Sequence, residues 1–269
     1  MKDITVIIPI LLDAYQSPFN EMLRNAVDSV KAAAENYKDG KVKLLIVRPS
    51  DKTTDDPVFT GIECKYVYNS GNTDYCSQVN LGVENVDTEF FSILEFDDRY
   101  SSKWFAMFDE YYNFNEDVSV FLPINVVCNQ KENIYEFVNE IVWASSFSSE
   151  MGVVDFECLE NCASFNLTGG IFKTSDWLKY KPSIKVAFNY EYLLRATSKN
   201  HKQKVYVVPK EGYRHELFRD GSLINQYIEE IPEDINPLWF ELAKREYVYD
   251  EDRNKGIIIK DKLKSEDLK

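Results

Sequence analysis

The chain has 269 residues, 44% of them hydrophobic, so it can bury a large core, and its net charge of −14 opposes unaided binding to nucleic acid. No apolar run approaches the roughly 18 residues that cross a bilayer, and the N-terminus has no signal-peptide pattern, so we expect a cytoplasmic protein without a membrane partner. The five cysteines are scattered and odd in number, which indicates reduced thiols and not a disulfide framework.

The first hundred residues alternate strand-like and helix-like segments. Ile4–Ile10 is a nearly continuous apolar run, typical of a strand covered on both faces in a parallel sheet. Apolar residues at helical spacing predict a helix over Asn20–Tyr37, and Gly40 follows as its stop. The same order continues through the predicted strands Val42–Val47 and Glu63–Tyr68, the helix Tyr75–Val86 and the strand Glu89–Leu94. This repetition predicts βαβ units with right-handed crossovers.

The predicted strands of this half end at turn-forming or polar residues, namely Pro9, Arg48, Asn69 and Glu95. In open α/β sheets, ligands bind in the crevice beyond the carboxyl ends of the strands. We therefore expect these four strand ends to meet at one site.

The alternation is weaker in the second half of the chain. We predict helices over Tyr100–Tyr112, Ile134–Ser146, Asp176–Tyr180, Tyr190–Ser198 and Leu238–Tyr247. We predict strands over Val118–Cys128, Ile171–Phe172 and Lys204–Val208, the last ending at Pro209. The expected organisation is a catalytic unit at residues 1–230, with a ligand-binding half at 1–100 and a second half at 101–230, followed by a helix and charged tail at 231–269.

The segment Glu95-Phe96-Asp97-Asp98 places three carboxylates within four residues, directly after a hydrophobic strand. Such concentrated negative charge is costly at the edge of a core unless a cation compensates it. Magnesium and manganese take oxygen ligands, typically one or two carboxylates together with substrate phosphates. The alternative is a solvated acidic turn, which the motif alone does not exclude.

Four blocks of the sequence resemble, in order and spacing, those of family 2 glycosyltransferases. The blocks are Ile4–Pro9, Asn69-Ser70-Gly71, Asn80-Leu81-Gly82 and Phe91–Asp98. The resemblance implies a GT-A fold, a Rossmann-like, mostly parallel mixed sheet flanked by helices, here with a C-terminal helical appendage. It also implies transfer of a sugar from a nucleotide-diphosphate sugar, with UDP-sugars expected first, to an acceptor hydroxyl with inversion.

The resemblance assigns residues to the donor and to a divalent metal, Mn²⁺ or Mg²⁺. Donor and diphosphate contacts fall on Pro9, Ile10, Leu11, Arg48, Asn69, Gly71, Asn80, Glu95, Phe96 and Arg219. Metal ligands fall on Asp97, Asp98 and His215, because a late histidine completes the metal site in several GT-A enzymes. The family's aspartate-rich turn after the second strand is replaced by Arg48-Pro49-Ser50-Asp51, so the contacts to the base stay open.

The acceptor side is assigned through a glycine turn and a helix. Thr168-Gly169-Gly170 and Trp177 resemble the acceptor loop of these enzymes, although glycines also make ordinary turns. Phe188-Asn189 occupies the place of the family's Glu-Asp pair. Glu191 is the nearby carboxylate and the candidate catalytic base. A structural ion pair from Glu191 to Arg195, four residues on, is the alternative.

The acceptor stays open between protein, glycan, lipid and DNA. Tyr213–Ser222 resembles glycosyltransferases of large tailed phages, some of which modify hydroxymethylated pyrimidines in DNA, and such an enzyme would work in the host cytoplasm. A lysine-rich strip favours that hypothesis, and the net charge opposes it; the strip comprises Lys179, Lys181, Lys185, Lys199, Lys202 and Lys204. A sugar nucleotidyltransferase and an inactive nucleotide-sugar-binding protein are the alternative functions, and the sequence does not give the oligomeric state.

Overall fold

The computed structural model describes residues 2–11, 19–50, 56–129, 134–144, 150–184 and 187–217. The strands in these ranges are β1 (Ile4–Pro9), β2 (Val42–Pro49), β3 (Glu63–Asn69), β4 (Phe90–Ile93), β5 (Arg99–Tyr100), β6 (Val120–Asn129), β7 (Ile134–Val138), β8 (Ile171–Lys173) and β9 (Val205–Leu217). The α-helices are α1 (Phe19–Glu35), α2 (Tyr75–Glu84), α3 (Trp104–Tyr112), α4 (Phe156–Asn161) and α5 (Phe188–Thr197). Short 3₁₀ helices lie at Glu140–Trp143 and Thr174–Asp176. Over these ranges, no helix has both the length and the apolarity to cross a membrane.

All the strands join one mixed sheet with the order β3-β2-β1-β4-β8-β6-β9-β5, and β7 pairs with β6 beside this path. β1 pairs in parallel with β2 and β4, and β2 pairs in parallel with β3. β8 runs antiparallel between β4 and β6, whereas β9 runs parallel to β6. The predicted α/β class and the βαβ units of the first half are confirmed. The predicted C-terminal helix and tail lie outside the described residues.

The two faces of the sheet bury two apolar clusters. Alternate residues of one strand point to opposite faces, so Ile7 belongs to one cluster and Ile8 to the other. The cluster around Ile7 is covered by α2, α4 and α5, and that around Ile8 by α1 and α3. All five cysteines are free thiols, as expected from their spacing.

Helix α2 is fixed at both ends in a way that places its N-terminus at the carboxyl end of the sheet. Asp74 caps the helix by accepting the Ser77 amide at 3.0 Å. Gly82 lies directly on the sheet, where a Cβ would come within 2.6 Å of Ile7 Cγ2. The missing side chain therefore lets α2 approach β1 closely.

The predicted helix over Ile134–Ser146 is wrong. Residues Ile134–Val138 form β7, which pairs antiparallel with β6, and the 3₁₀ helix Glu140–Trp143 follows. Asn139 separates them with a left-handed φ of 77°. The segment is apolar at both helical and strand spacing, and its aromatic and β-branched residues pack better in a strand.

Two further predictions need correction. The predicted helix Asp176–Tyr180 is wrong, because the 3₁₀ helix ends at Asp176 and the Tyr180 backbone bonds to the Asn80 side chain instead of a helical neighbour. The last predicted strand continues past Pro209 to Leu217. A register shift opposite Leu122 and Ile124 accommodates the proline, which has no N–H for the ladder. Helix α4 was not predicted.

Candidate active site

The acidic motif after β4 meets a histidine from β9. One ligand atom each of Glu95, Asp98 and His215 lie within 4.8 Å of one another, and we call these three residues the acidic cluster. The chain turns after β4, where the Asp98 amide donates to the Glu95 carbonyl at 3.1 Å. This turn brings both carboxylates to the same place.

Strand β5 brings the histidine to the acidic motif. Arg99 and Tyr100, directly after Asp98, pair antiparallel with Arg214 and Tyr213 of β9. His215 is the next residue of β9, so it lies beside Asp98. The proximity of residues 98 and 215 is thus a consequence of strand pairing.

The Asp98 carboxylate is fully buried and accepts three hydrogen bonds. His215 Nδ1 lies 2.7 Å from Oδ2, and the Tyr213 hydroxyl donates to the same oxygen at 2.8 Å. The Glu216 amide donates to Oδ1 at 3.2 Å. These bonds compensate the burial of the charge and fix the direction of the carboxylate.

Tyr213 connects the acidic cluster to the turn at Thr168-Gly169-Gly170. Its hydroxyl accepts the Glu95 amide at 3.1 Å, and its ring lies against Gly169, where a Cβ would come within 2.4 Å of Tyr213 Cδ2. Gly169 has a φ of +80°, and its amide donates to the Ile93 carbonyl at 2.8 Å. The glycine turn is therefore the support on which Tyr213 rests.

The electrostatics of the acidic cluster favour a bound cation. Burial, with the neighbouring charges of Asp98 and Asp97, raises the pKa of Glu95 from 4.5 to about 8. Burial disfavours the imidazolium of His215, but the charge and hydrogen bond of Asp98 outweigh it and raise the pKa of His215 to about 10. The raised pKa values of both groups indicate an excess of negative charge at the site, which a bound cation would compensate.

The donor set of the acidic cluster fits a divalent metal. Two carboxylates, which suit magnesium and manganese, converge on one point with an imidazole, a common ligand of transition metals. The expected set was Asp97, Asp98 and His215, whereas the described residues bring Glu95 together with Asp98 and His215. Asp97 is half-buried beside this trio, and its metal role stays a prediction.

Several predicted donor residues join one hydrogen-bond network at the strand ends. Gln78, fully buried in α2, donates to the Ile10 carbonyl at 2.8 Å. The Asn69 amide group donates to Gln78 Oε1 at 2.8 Å, and Asn69 Oδ1 accepts the Gly71 amide at 2.9 Å. Pro9 ends β1, and Leu11 follows Ile10 at the same edge. The network holds the ends of β1 and β3 against the N-terminal half of α2.

Arg48 lies at the end of β2 and is 3% exposed. It forms an ion pair with Asp56, and the Tyr68 hydroxyl donates to the same carboxylate. Asp51, which opens the turn after β2 in the sequence, lies outside the described residues. Asp56 is therefore the acidic residue that the structure places at this strand end.

Asn80 contacts backbone through both ends of its side-chain amide. Its Nδ2 donates to the Tyr180 carbonyl at 2.8 Å, and its Oδ1 accepts the Tyr180 amide at 2.8 Å. Phe96 is half-buried, with its ring centroid 5.3 Å from that of Phe19. Asn80 thus supports the backbone at Tyr180, and Phe96 packs against Phe19. Their predicted contacts to the donor stay predictions.

The acceptor-side residues lie in two places. Thr168 is buried with the glycine turn, and its carbonyl accepts Asn125 Nδ2 at 3.1 Å. Trp177 stacks on Tyr192 at a centroid distance of 4.8 Å and also packs edge-on against Phe91. Its ring is thus a partner in the apolar cluster around Ile7.

Glu191 is fully buried in α5 and lies outside the acidic cluster. Arg195 Nε lies 3.0 Å from Oε1 of Glu191, and Arg195 Nη2 lies 3.1 Å from Oε2. Lys181 Nζ lies 3.0 Å from Oε1. This is the ion pair that the sequence offered as the alternative to a base. Arg219, predicted to meet the diphosphate, lies outside the described residues.

Tyr213, Gln78 and Asp56 were not singled out from the sequence. Tyr213 carried a usable signal, because it is two residues before His215 and residues at this spacing in a strand share a face. Ending the strand at Pro209 concealed that relation. Gln78 and Asp56 offered no comparable pattern.

No protein-family model matches the sequence, and no curated protein matches it. Solved structures of S. aureus TarS resemble the fold. TarS 1-349 aligns with a TM-score of 0.55 and 15% identity over 99% of this chain and 77% of that chain. TarS 1-349 in complex with UDP-GlcNAc gives 0.57 and 14%, over 100% and 78%. A longer TarS chain gives 0.55 and 16%, over 98% of this chain but 46% of its own length.

These similarities establish the fold. TM-scores of 0.55 to 0.57 over almost the whole chain identify a GT-A-type arrangement of the mixed sheet and its helices. The predicted GT-A fold is confirmed. At sequence identities of 13% to 16%, the comparisons establish the fold alone.

Proposed function

We propose that the protein is a metal-dependent glycosyltransferase that takes its sugar from a UDP-sugar. The observation that carries the proposal is the acidic cluster of Glu95, Asp98 and His215 at the carboxyl end of β4. In a GT-A-type sheet this is the edge at which ligands bind. Structures of TarS with the same fold contain UDP-GlcNAc or UDP, which supports a uridine nucleotide here.

The chain's residues would divide the donor between them. Glu95, Asp98 and His215 would hold Mn²⁺ or Mg²⁺, which when bound neutralises charge on the departing diphosphate. The edge formed by Pro9, Ile10 and Asn69 would hold the nucleoside. Tyr213 orients the Asp98 carboxylate, and the Gly169 turn keeps Tyr213 in place.

Binding of nucleotide and metal provides the first test. We expect UDP, UDP-GlcNAc or UDP-glucose to raise the melting temperature in the presence of Mn²⁺ and much less in EDTA. A ligand at 100 times its Kd stabilises the native state by about 2.7 kcal/mol, and each kcal/mol raises Tm by about 2–4 °C at this size. GDP- and dTDP-sugars serve as comparisons. If none of these nucleotides raises the melting temperature, the proposal is wrong.

A matched pair of variants assigns that binding to the acidic cluster. Asp98→Asn removes one buried charge from the cluster, whereas Glu110→Gln removes an exposed charge from α3. We expect Asp98→Asn to abolish the Mn²⁺-dependent part of the shift and Glu110→Gln to retain it. Equal shifts in both variants would place the metal elsewhere.

The products identify the reaction. Release of UDP from a UDP-sugar supports a transferase, whereas formation of UDP-sugar and pyrophosphate from UTP and sugar phosphate supports a nucleotidyltransferase. Binding without turnover would indicate an inactive nucleotide-sugar-binding protein. The transferase is favoured because a nucleotidyltransferase normally carries a Gly-rich, basic loop after its first strand, and residues 11–15 read Leu-Leu-Asp-Ala-Tyr.

The acceptor hydroxyl is the least constrained part of the proposal. The lysine strip that favoured DNA is partly neutralised, because Lys179 pairs with Glu84, Lys181 with Glu191, and Lys204 with Asp117 and Glu150. Hydroxymethylated pyrimidine DNA therefore stays a prediction without added support. Sugar incorporation into such DNA, compared with unmodified DNA of the same sequence, tests it directly.

A further inference from the structure

Strand β7 places a carboxylate beside the acidic cluster, on the same face of the sheet. Val127 of β6 is paired with His215 of β9 on one side and with Glu136 of β7 on the other. Residues paired in register point to the same face. Glu136 and His215 therefore share a face, with Val127 between them.

The separation of the two residues suits a sugar placed between them. Neighbouring strands lie about 4.8 Å apart, so the Cα atoms of Glu136 and His215 are separated by about 10 Å. Glu136 can extend its carboxylate into that interval from one side. A hexose attached to a diphosphate at the acidic cluster would enter the interval from the other side.

The surroundings of Glu136 leave its carboxylate accessible to an acceptor. Its side chain is exposed, and within the described part of the chain it forms no ion pair or hydrogen bond. Ile134 and Val138 flank it on the same face, and Ile134 is 45% exposed. The carboxylate thus lies between apolar side chains that can contact an acceptor.

The carboxylate of Glu191 in α5, in contrast to that of Glu136, already has cationic partners. Glu191 has no exposed surface and is paired with both Arg195 and Lys181. A buried carboxylate held by two cations is closed to an acceptor hydroxyl. Asn189 at the start of α5 carries an amide, which accepts the Tyr180 hydroxyl at 3.2 Å and has no basic oxygen.

We propose that Glu136 is the catalytic base of the transfer, an inference that rests on the proposed function. The acceptor oxygen attacks C1 of the donor sugar while its proton passes to the Glu136 carboxylate. The bond between C1 and the diphosphate oxygen breaks, and UDP leaves with that electron pair on the side of the acidic cluster. Base and leaving group lie on opposite sides of C1, so the configuration at C1 inverts.

Hydrolysis of the donor tests this assignment without knowledge of the natural acceptor. With UDP-GlcNAc or UDP-glucose, Mn²⁺ and water as the acceptor, release of UDP is measured for the full chain and for Glu136→Gln. We expect kcat to fall about 100-fold or more, as for loss of a general base. KM for the donor stays within about twofold, because Glu136 does not hold the nucleotide.

Three further variants separate catalysis from folding. Glu140→Gln changes another exposed carboxylate just after β7 and is expected to keep full activity. Glu136→Asp keeps the carboxylate and should recover part of the lost kcat. Glu191→Gln is expected to lower stability, measured by urea unfolding, because it removes the partner of Arg195 and Lys181.

The outcomes distinguish the two proposals. Unchanged kcat in Glu136→Gln overturns the assignment of the base and leaves the proposed function intact. A folded Glu191→Gln that loses kcat while Glu136→Gln does not would move the base to α5. Failure of the unchanged chain to bind any UDP-sugar with Mn²⁺ overturns the proposed function, and the base with it.

Discussion

The Tyr213 hydroxyl makes two hydrogen bonds at the acidic cluster, one of them fully buried. It donates to Asp98 and accepts the Glu95 amide, so Tyr213→Phe leaves both partners one hydrogen bond short. We expect the free energy of unfolding to fall by about 1–3 kcal/mol, the cost of unsatisfied buried groups. Urea unfolding measures this change, and the Mn²⁺-dependent nucleotide shift should weaken with it.

Tyr112→Phe is the matched control. The Tyr112 ring also packs in an aromatic cluster, against Phe90 and Phe108, but its hydroxyl makes no hydrogen bond within the described ranges. Its removal is expected to change stability by less than about 0.5 kcal/mol. Equal losses of unfolding free energy in the two variants would show that the hydrogen bonds of the Tyr213 hydroxyl do not stabilise the fold.

Protons held by the acidic cluster make stability depend on pH. The pKa of Glu95 is raised from 4.5 to about 8, so the folded chain holds a proton that the unfolded chain has released. Stability from this group is lost as pH rises from about 5 to 8. The pKa of His215 is raised from 6.5 to about 10, so its contribution is present below 6.5 and is lost towards pH 10.

Glu95→Gln separates these two contributions. In EDTA, the unfolding free energy of the unchanged chain should decrease between about pH 5 and 8, and the variant should show a flatter slope over that interval. The decrease at higher pH, which belongs to His215, should remain. Parallel slopes in urea unfolding of the two proteins would contradict the assignment to Glu95.

At the scale of the element, the glycine turn before β8 is the support for the acidic cluster. Gly169→Ala meets two obstacles, a positive φ and the Tyr213 ring 2.4 Å from the new Cβ. Gly61→Ala meets only the first, because φ is +82° and no atom lies within 4 Å of the new Cβ. We expect a loss of about 1–2 kcal/mol for Gly61→Ala and about 2–5 kcal/mol for Gly169→Ala.

Urea unfolding again measures the difference between the two glycine variants. The excess for Gly169→Ala reports the contact with Tyr213, since both variants share the same backbone strain. That variant should also lose part of the Mn²⁺-dependent nucleotide shift. Identical losses would mean that the turn yields and that Tyr213 does not rest on it.

The elements of the first half were predictable because each carries one clear pattern of apolar residues. β1 is apolar along its length, and α1 has a single apolar stripe. β7 was misread because both of its faces carry apolar side chains, with Glu136 the one charged residue among them. The end of β9 was misplaced because Pro209 stands at a bulge. Local patterns do not report such long-range pairing.

The residues of the candidate site were predictable only where a local motif or the family resemblance pointed to them. Asp98 and His215 were identified from the acidic motif and from the family resemblance, and they do meet. Glu136 was not identified, because its proximity to His215 depends on two strand pairings around β6. Glu191 was chosen for its position in sequence, which also offered its pairing with Arg195, and the structure adds Lys181 as a second cation.

At the scale of the whole molecule, one sheet is shared by two apolar clusters. Ile7 and Ile8 are neighbours in β1 but belong to different clusters, so damage to one cluster also loosens a strand of the other. We expect a single cooperative transition in urea, with coincident midpoints by tryptophan fluorescence and far-ultraviolet circular dichroism. Ile8→Ala, which costs about 2–5 kcal/mol, should lower both midpoints equally. Separated midpoints would indicate two independent folding units.

The acidic cluster joins parts of the chain that are synthesised far apart in time. Asp98 and His215 are 117 residues apart. At about 5–20 residues per second, a ribosome adds the histidine roughly 6–23 s after the aspartate. The βαβ half can form during that interval, because the pairings of β1 with β2 and β4, and of β2 with β3, involve only residues before Asp98. The carboxylates therefore stay open to water until β9 pairs with β6, and the acidic cluster closes late in folding.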